Sequence, residues 1–220
     1  MLILANDTAT DYAVFGIGDD STNETFGVTV PHRRNLSRNF YTLMDQVLVE
    51  GGLTFGEIDV LAVGVGPGSF TGVRVAVTTM KTLAQVTGKP LVAIGTLDIY
   101  AREAVSDGAH HSVVVLPSRK GEIYFQTFDA TGSTGPPSVA TFEALHEMVQ
   151  ELGDSYMLCG QTACLPDSFF QYHTLPQQSP SPAAFLELAF DAARKNAFTN
   201  PVSLTPVYAA PPAISRHKSR

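Results

Sequence analysis

The chain opens with three short apolar runs, residues 2–6, 12–18 and 25–30, separated by polar turns at 7–10 and 19–23. Runs of this length bounded by turn residues predict strands, and connections this short predict antiparallel hairpins. From Leu36 the period changes: Leu36, Phe40, Leu43, Met44, Val47 and Leu48 recur at the spacing of one helix face. Asn35 or Ser37 is the candidate cap, and Gly51 and Gly52 end the helix.

Residues 60–65 form a Val-rich apolar run too short for a helix, which predicts a buried strand. A glycine-rich loop at 66–71 follows, then a helix over 72–87, a strand over 91–94 and a helix over 96–105. Strand and helix in alternation imply parallel crossovers, joined to the opening hairpins in one mixed sheet. A polar break at 106–111 predicts a domain boundary. Beyond it, 112–116 and 122–128 read as strands joined by a turn at 117–121, and 142–152 and 183–195 read as helices. The proline-rich stretch 161–182 reads mostly as loop, and the chain from Thr199 as extended or disordered. The expected organisation is an N-terminal lobe over 1–106, a reduced C-terminal lobe over 107–200 and a tail over 201–220.

Composition narrows the classes. Apolar residues make up 44% and charged residues 16%, against about 25% charged in an average domain, so a packed core is expected and disorder is excluded as the main state. The formal charge of −7 disfavours a broad electrostatic grip on nucleic acid. The basic residues Arg216, His217, Lys218 and Arg220 read as a disordered end rather than a binding arm. Cys159 and Cys164 are too few for a disulfide framework and lack the second pair of a zinc site, so reduced thiols are expected. The first residues are apolar but lack the basic region of a signal peptide, and no run approaches the roughly 20 apolar residues of a membrane span. The expectation is a cytoplasmic protein without membrane contact.

Two segments carry candidate chemistry. GPGSFTGVR at 66–74 places glycines between a buried strand and a helix, where outward amides can cradle an anion. A tight turn needing glycine backbone angles explains the same residues. The string is neither a Walker loop nor a dinucleotide fingerprint. The second segment, Asp7-Thr8-Ala9-Thr10, sits at the end of the first strand, where Asp7 could hold hydrated magnesium and the threonines nucleotide phosphates. A hairpin turn stabilised by the same side chains is the plainer reading. Gly66, Gly68, Ser69, Thr71 and Gly72 join Asp7, Thr8 and Thr10 as the candidate nucleotide or anion site.

With Ser118-Arg119-Lys120-Gly121-Glu122-Ile123-Tyr124, these strings resemble the TsaB (YeaZ) family of bacterial tRNA threonylcarbamoyladenosine biosynthesis proteins. The resemblance covers residues 1–130 well and continues in helix order and in Pro206-Val207-Tyr208. It implies an α/β, two-lobed actin-like ATPase fold, of the ASKHA and ribonuclease H-like kind, with a reduced second lobe. It also implies a non-catalytic subunit that binds TsaD, the transferase acting on the adenine beside the anticodon in tRNAs reading codons that begin with A. TsaE, an ATPase, joins that pair; tRNA is met only through the complex, and the isolated chain can form a homodimer. No cofactor is required, with room for weak ATP or ADP binding with magnesium. The alternative is an ATP-dependent small-molecule kinase or ATPase of the same superfamily.

A TsaD-like metal site needs two histidines one helical turn apart, and His32, His110, His111, His146, His173 and His217 contain no such pair. The His110-His111 pair reads as a solvated loop. Pro117 stands where many relatives carry an acidic residue, and Ala210 where the terminal segment commonly carries arginine. Both departures weaken a nucleotide site and a terminal contact. In the family, the first-lobe helices pack against their equivalents in TsaD. Leu36, Phe40, Leu43, Met44, Val47, Val73, Arg74, Val77, Met80 and Leu83 are therefore the expected partner interface. The 72–87 helix is apolar nearly all round, which fits burial on both sides or a patch kept for a partner.

Overall fold

Alternation along the first strand decides the layering. The computed structural model describes residues 1–31, 36–106, 108, 110–177 and 179–209. In it, β1 (Leu2–Asp7) sends Leu4 to one face and Ile3 and Ala5 to the other, all fully buried. A strand buried on both faces needs cover on both. It pairs antiparallel with β2 (Tyr12–Asp19), which pairs antiparallel with β3 (Glu24–Pro31). On its other side run the parallel strands β4 (Val60–Gly64) and β5 (Leu91–Ile94), giving the order β3-β2-β1-β4-β5.

Helices α1 (Leu36–Glu50) and α2 (Phe70–Thr87) cover one face of this sheet. The Phe15 and Phe40 rings meet edge-on there at 5.0 Å. The α2 helix starts at Phe70, two residues earlier than its pattern predicts, because the Ser69 side chain caps it by accepting from the Gly72 amide. The opposite face is covered by α5 (Pro182–Arg194), whose Phe185, Leu186 and Phe190 pack on Ile3, Ala5 and Ala62.

This placement of α5 corrects the expected division, which gave all of 107–200 to the second lobe. The reason is a row of glycines: a Cβ at Gly16, Gly18 or Gly27 would meet Leu186, Phe190 or Pro182. The bare backbone of β2 and β3 is the bed of a helix that follows about 160 residues later.

The second sheet contains β6 (Ser112–Pro117), β7 (Glu122–Asp129), β8 (Gly132–Ser133), β9 (Ser138–Thr141), β10 (Met157–Gly160) and β11 (Thr174–Pro176). Its order is β11-β10-β6-β7-β8, with β9 also pairing β7. One face takes α4 (Phe142–Leu152) through Leu145 and Val149, and the other takes α3 (Thr96–Ser106) through Leu97, Tyr100, Ala101 and Ala104. Ile99 of the same helix packs in the first-lobe core. Thus α3 is a wedge buried in both lobes, and Arg102 ties it to α5 through Asp191 at 2.8 Å.

The chain from Thr199 to Tyr208 is a strap on the first lobe, not the loose tail expected from its prolines. Thr199 N donates to Leu91 O at 2.7 Å, Lys81 Nζ donates to Leu204 O at 3.1 Å, and Val207 N donates to Val65 O at 2.8 Å. Leu204 is buried among the residues of the α1–α2 core. His32, Asn35, Ala210, the Ser37 side chain and the basic residues near the end lie outside the described residues. Among the described residues no helix is long and apolar enough to cross a membrane. Leu204→Ala should therefore lower stability by about 2 kcal/mol in urea unfolding, whereas a loose tail would leave the midpoint unchanged.

Candidate functional site

The C-terminal ends of β1 and β4 lie side by side, so the turn after β1 and the loop after β4 meet there. They meet through backbone. A Cβ on Gly68 would overlap the Ala9 carbonyl, and one on Gly72 would overlap the Thr8 carbonyl. Ser69 N donates to Ala9 O at 2.6 Å, and the Thr8 hydroxyl donates to Gly72 O at 2.8 Å. Gly66 adopts φ +91°, in the region that favours glycine, and its carbonyl accepts from Thr96 N at 2.9 Å. Gly68 and Gly72 are thus explained by close approach to the Asp7–Thr10 turn, and Gly66 by its backbone angle.

Asp7 is fully buried and turned inward. One carboxylate oxygen accepts from Ala9 N at 2.7 Å, and the other accepts from the Thr96 hydroxyl at 2.6 Å. Gly64 leaves the space this carboxylate fills, since a Cβ there would overlap it. Thr10 is nearly buried, and its hydroxyl accepts from Tyr12 N at 3.2 Å.

Between the lobes lies a cleft of about 330 Å³, with Thr10, Asp11 and Ser69 on one wall and Pro117, Arg119 and Tyr124 on the other. Its floor is held by a residue that pattern reading assigns simply to a helix. Tyr100 of α3 is fully buried; its phenol oxygen accepts from Gln161 Nε2 at 3.2 Å and is also reached by the Thr10 hydroxyl. Gln177 Nε2 donates to the Tyr100 carbonyl at 3.2 Å, while its Oε1 accepts from Gly160 N at 2.9 Å. Burial pushes the Tyr100 phenol well above its ordinary range. A buried tyrosine needs a partner for its hydroxyl, which is the one signal that marks it out. Ser118 Oγ, on the cleft wall, is buried without a hydrogen-bond partner.

A second hollow of about 460 Å³ runs between α1 and α2, walled by Tyr41, Phe70, Arg74, Val75 and Thr78. Thr71, expected beside the anion loop, faces this groove instead. The expected interface residues Leu36, Phe40, Met44, Val47, Val73, Val77 and Met80 are buried in the core, Leu43 and Leu83 are half-buried, and Arg74 is exposed. The apolar excess of α2 was absorbed by the sheet and by α1. On the groove itself Tyr41 is 54% exposed and Phe70 45% exposed, while Val49 and Val86 are exposed near the C-terminal ends of α1 and α2.

The described histidines do not converge. His111 stacks near Tyr156, His146 packs against Phe169 and Tyr172, and His110 and His173 are exposed. Among the described residues no three His, Cys, Asp or Glu side chains come together as metal ligands. Neither cysteine is in a disulfide; Cys159 is buried and Cys164 half-buried, and burial pushes the Cys164 thiol up.

A family model described as TsaD, tRNA N6-adenosine threonylcarbamoyltransferase, matches residues 18–193. The tRNA threonylcarbamoyladenosine biosynthesis protein TsaB of Escherichia coli K12 is 30% identical over 166 residues, covering 73% of this chain and 71% of that protein. The chain belongs to the TsaB family. The TsaB of Haemophilus influenzae is 34% identical over a shorter stretch, 42% of this chain and 40% of that protein. The solved YeaZ of Pseudomonas aeruginosa superposes with a TM-score of 0.80 at 22% identity, covering 94% of this chain and 99% of that one. The fold is the two-lobed actin-like one.

That fold brings the expectation of magnesium and a nucleotide in the cleft, and the residues of this TsaB-family chain do not fit them. The Asp7 carboxylate is committed to Ala9 and Thr96, Ser69 N is committed to Ala9, and Pro117 offers no ligand. The cleft keeps polar walls, and the acid that lines it is the exposed Asp11 rather than the buried Asp7.

Two measurements check this geometry. Gly72→Ala should cost about 3 kcal/mol, since the neighbour is backbone and cannot yield, while Gly56→Ala, which meets only Thr54 Oγ1 at 3.7 Å, should stay within about 0.5 kcal/mol. For Tyr100 the folded pKa lies above the unfolded one, so the unfolded chain loses its proton first as pH passes about 10. Stability falls there in the wild type, and the roughly 1 kcal/mol advantage over Tyr100→Phe should shrink above pH 10 in denaturation curves.

Proposed function

We propose that the protein serves threonylcarbamoyladenosine synthesis, at the adenine beside the anticodon of tRNAs reading codons that begin with A, as a non-catalytic partner of TsaD. Family membership supports the pathway. The observation that carries the non-catalytic reading is Asp7, whose two oxygens are taken up by Ala9 N and the Thr96 hydroxyl. The carboxylate on which a magnesium-dependent phosphoryl transfer would depend is fully buried, bonded within the fold and outside the cleft lining. For the same reason the kinase or ATPase alternative is not favoured, no cofactor is required, and ATP or ADP binds weakly at most.

The partner face is the α1–α2 groove, with Tyr41, Phe70, Arg74 and Thr78 replacing the buried residues expected from the pattern. The match of residues 18–193 to the transferase model supports this choice, because two chains of one fold can pair their equivalent helices about a pseudo-twofold axis. In the absence of TsaD the same face makes a homodimer. TsaE joins the heterodimer in the cytoplasm, and tRNA is bound by the complex, whose partner supplies the basic surface that a chain of charge −7 lacks.

Light scattering of a mixture with purified TsaD should give the mass of a heterodimer. Thr78→Arg, placed at an exposed position in the groove, should weaken that complex at least about tenfold without changing the melting temperature. Separate species in the wild-type mixture would end this reading.

A further inference from the structure

The Phe70 ring stands between the two hollows, lining the interlobe cleft on one side and the α1–α2 groove on the other. Its position is set by contacts from both sides. The Tyr208 ring packs on it with centroids 5.5 Å apart, and the Arg74 guanidinium lies 5.0 Å from the same centroid. Tyr208 lines neither hollow.

The strap delivers Tyr208 to this place. Leu204 anchors it in the core, Lys81 Nζ holds the Val202 and Leu204 carbonyls, and Val207 N bonds to Val65 O beside the loop. Gly66 permits the approach, since a Cβ there would meet Val207 O at 3.1 Å. Stability and position are therefore divided between two residues. Leu204 is 8% exposed and belongs to the core, whereas Tyr208 is 45% exposed and touches a ring that is itself 45% exposed.

We propose that the strap is a positioning element for partner docking, with Tyr208 fixing the Phe70 ring as the wall against which a helix of a same-fold partner packs. The inference rests on the α1–α2 docking face proposed above. A half-exposed aromatic ring with freedom to turn must be ordered when a partner binds, and a ring already held by a stacked neighbour avoids that cost. Tyr208 is thus a positioning residue that acts through Phe70. It also explains why Pro206-Val207-Tyr208 stands out in the sequence without belonging to the cleft.

The test uses the full chain and purified TsaD, with affinity by calorimetry and stability by thermal melting. Tyr208→Ala should weaken binding about five- to tenfold while the melting temperature stays within about 2 °C, and Tyr208→Phe should bind as the wild type does. If Tyr208→Ala binds within about twofold of wild type while Thr78→Arg destroys binding, the strap has no positioning role and the docking face stands. A loss of affinity that only tracks the loss of folded protein overturns the inference as well. Normal binding by Thr78→Arg overturns the docking face, and this inference with it.

Discussion

The turn at residues 7–10 and the loop at residues 66–72 touch through their backbones, and the first lobe is arranged around that approach. Gly68 and Gly72 leave no side chain between the loop and the Thr8 and Ala9 carbonyls. Ser69 N then bonds across the gap, and Ser69 Oγ caps α2. Gly66 ties the loop to α3 through Thr96 N, and Asp7 ties the turn to α3 through the Thr96 hydroxyl. The residues that the sequence offers as a nucleotide or anion site bond instead to each other. A loop sequence that looks like an anion cradle is a joint between β1, β4, α2 and α3.

From that joint the interlobe geometry follows. Helix α3 has one face in each core, so the lobes share an element rather than a flexible linker. Tyr100 adds a polar tie at the cleft floor, with Thr10 from the first lobe and Gln161 from the second meeting at one phenol. Removing water from a neutral hydroxyl costs little when all its partners are present, which is why such a group survives at 0% exposure. The glycine row on β2 and β3 has a parallel effect at the far side, seating α5 so that the chain returns to its first lobe. The strap then runs over α2 and ends at Phe70.

Much of this was legible in the sequence, and the reasons for what was not are physical. The hairpins, the β4–α2–β5–α3 crossovers and the α4 and α5 helices follow from periodicity, because each buries a full face. Strands β9 and β10 have four residues each, too few for a period, and β11 lies among prolines that composition assigns to loop. The strap failed for the same reason: its order comes from Lys81, Val65 and Leu91, which are distant in sequence. The motif strings located the joint and the family but not its role, since glycine needed for a ligand and glycine needed for a backbone neighbour look alike. Seven of the expected interface residues, Leu36, Phe40, Met44, Val47, Val73, Val77 and Met80, are buried in the core, because a helix periodicity reports which side is apolar, not what covers it. The pattern placed Tyr100 in a helix without marking its hydroxyl, and Gln161 in a loop.

The protein is accordingly a two-lobed fold in which Tyr100 and helix α3 hold the lobes together, and the function proposed above assigns its outer helical face to a partner. In the proposed function the chain is necessary for the modification while TsaD supplies the chemistry. The most direct measurement is mass analysis of tRNA nucleosides from cells lacking this protein, with and without the gene restored. Loss of threonylcarbamoyladenosine that the wild-type chain restores is the predicted result. Threonylcarbamoyladenosine at its ordinary level in cells without the protein would contradict the account.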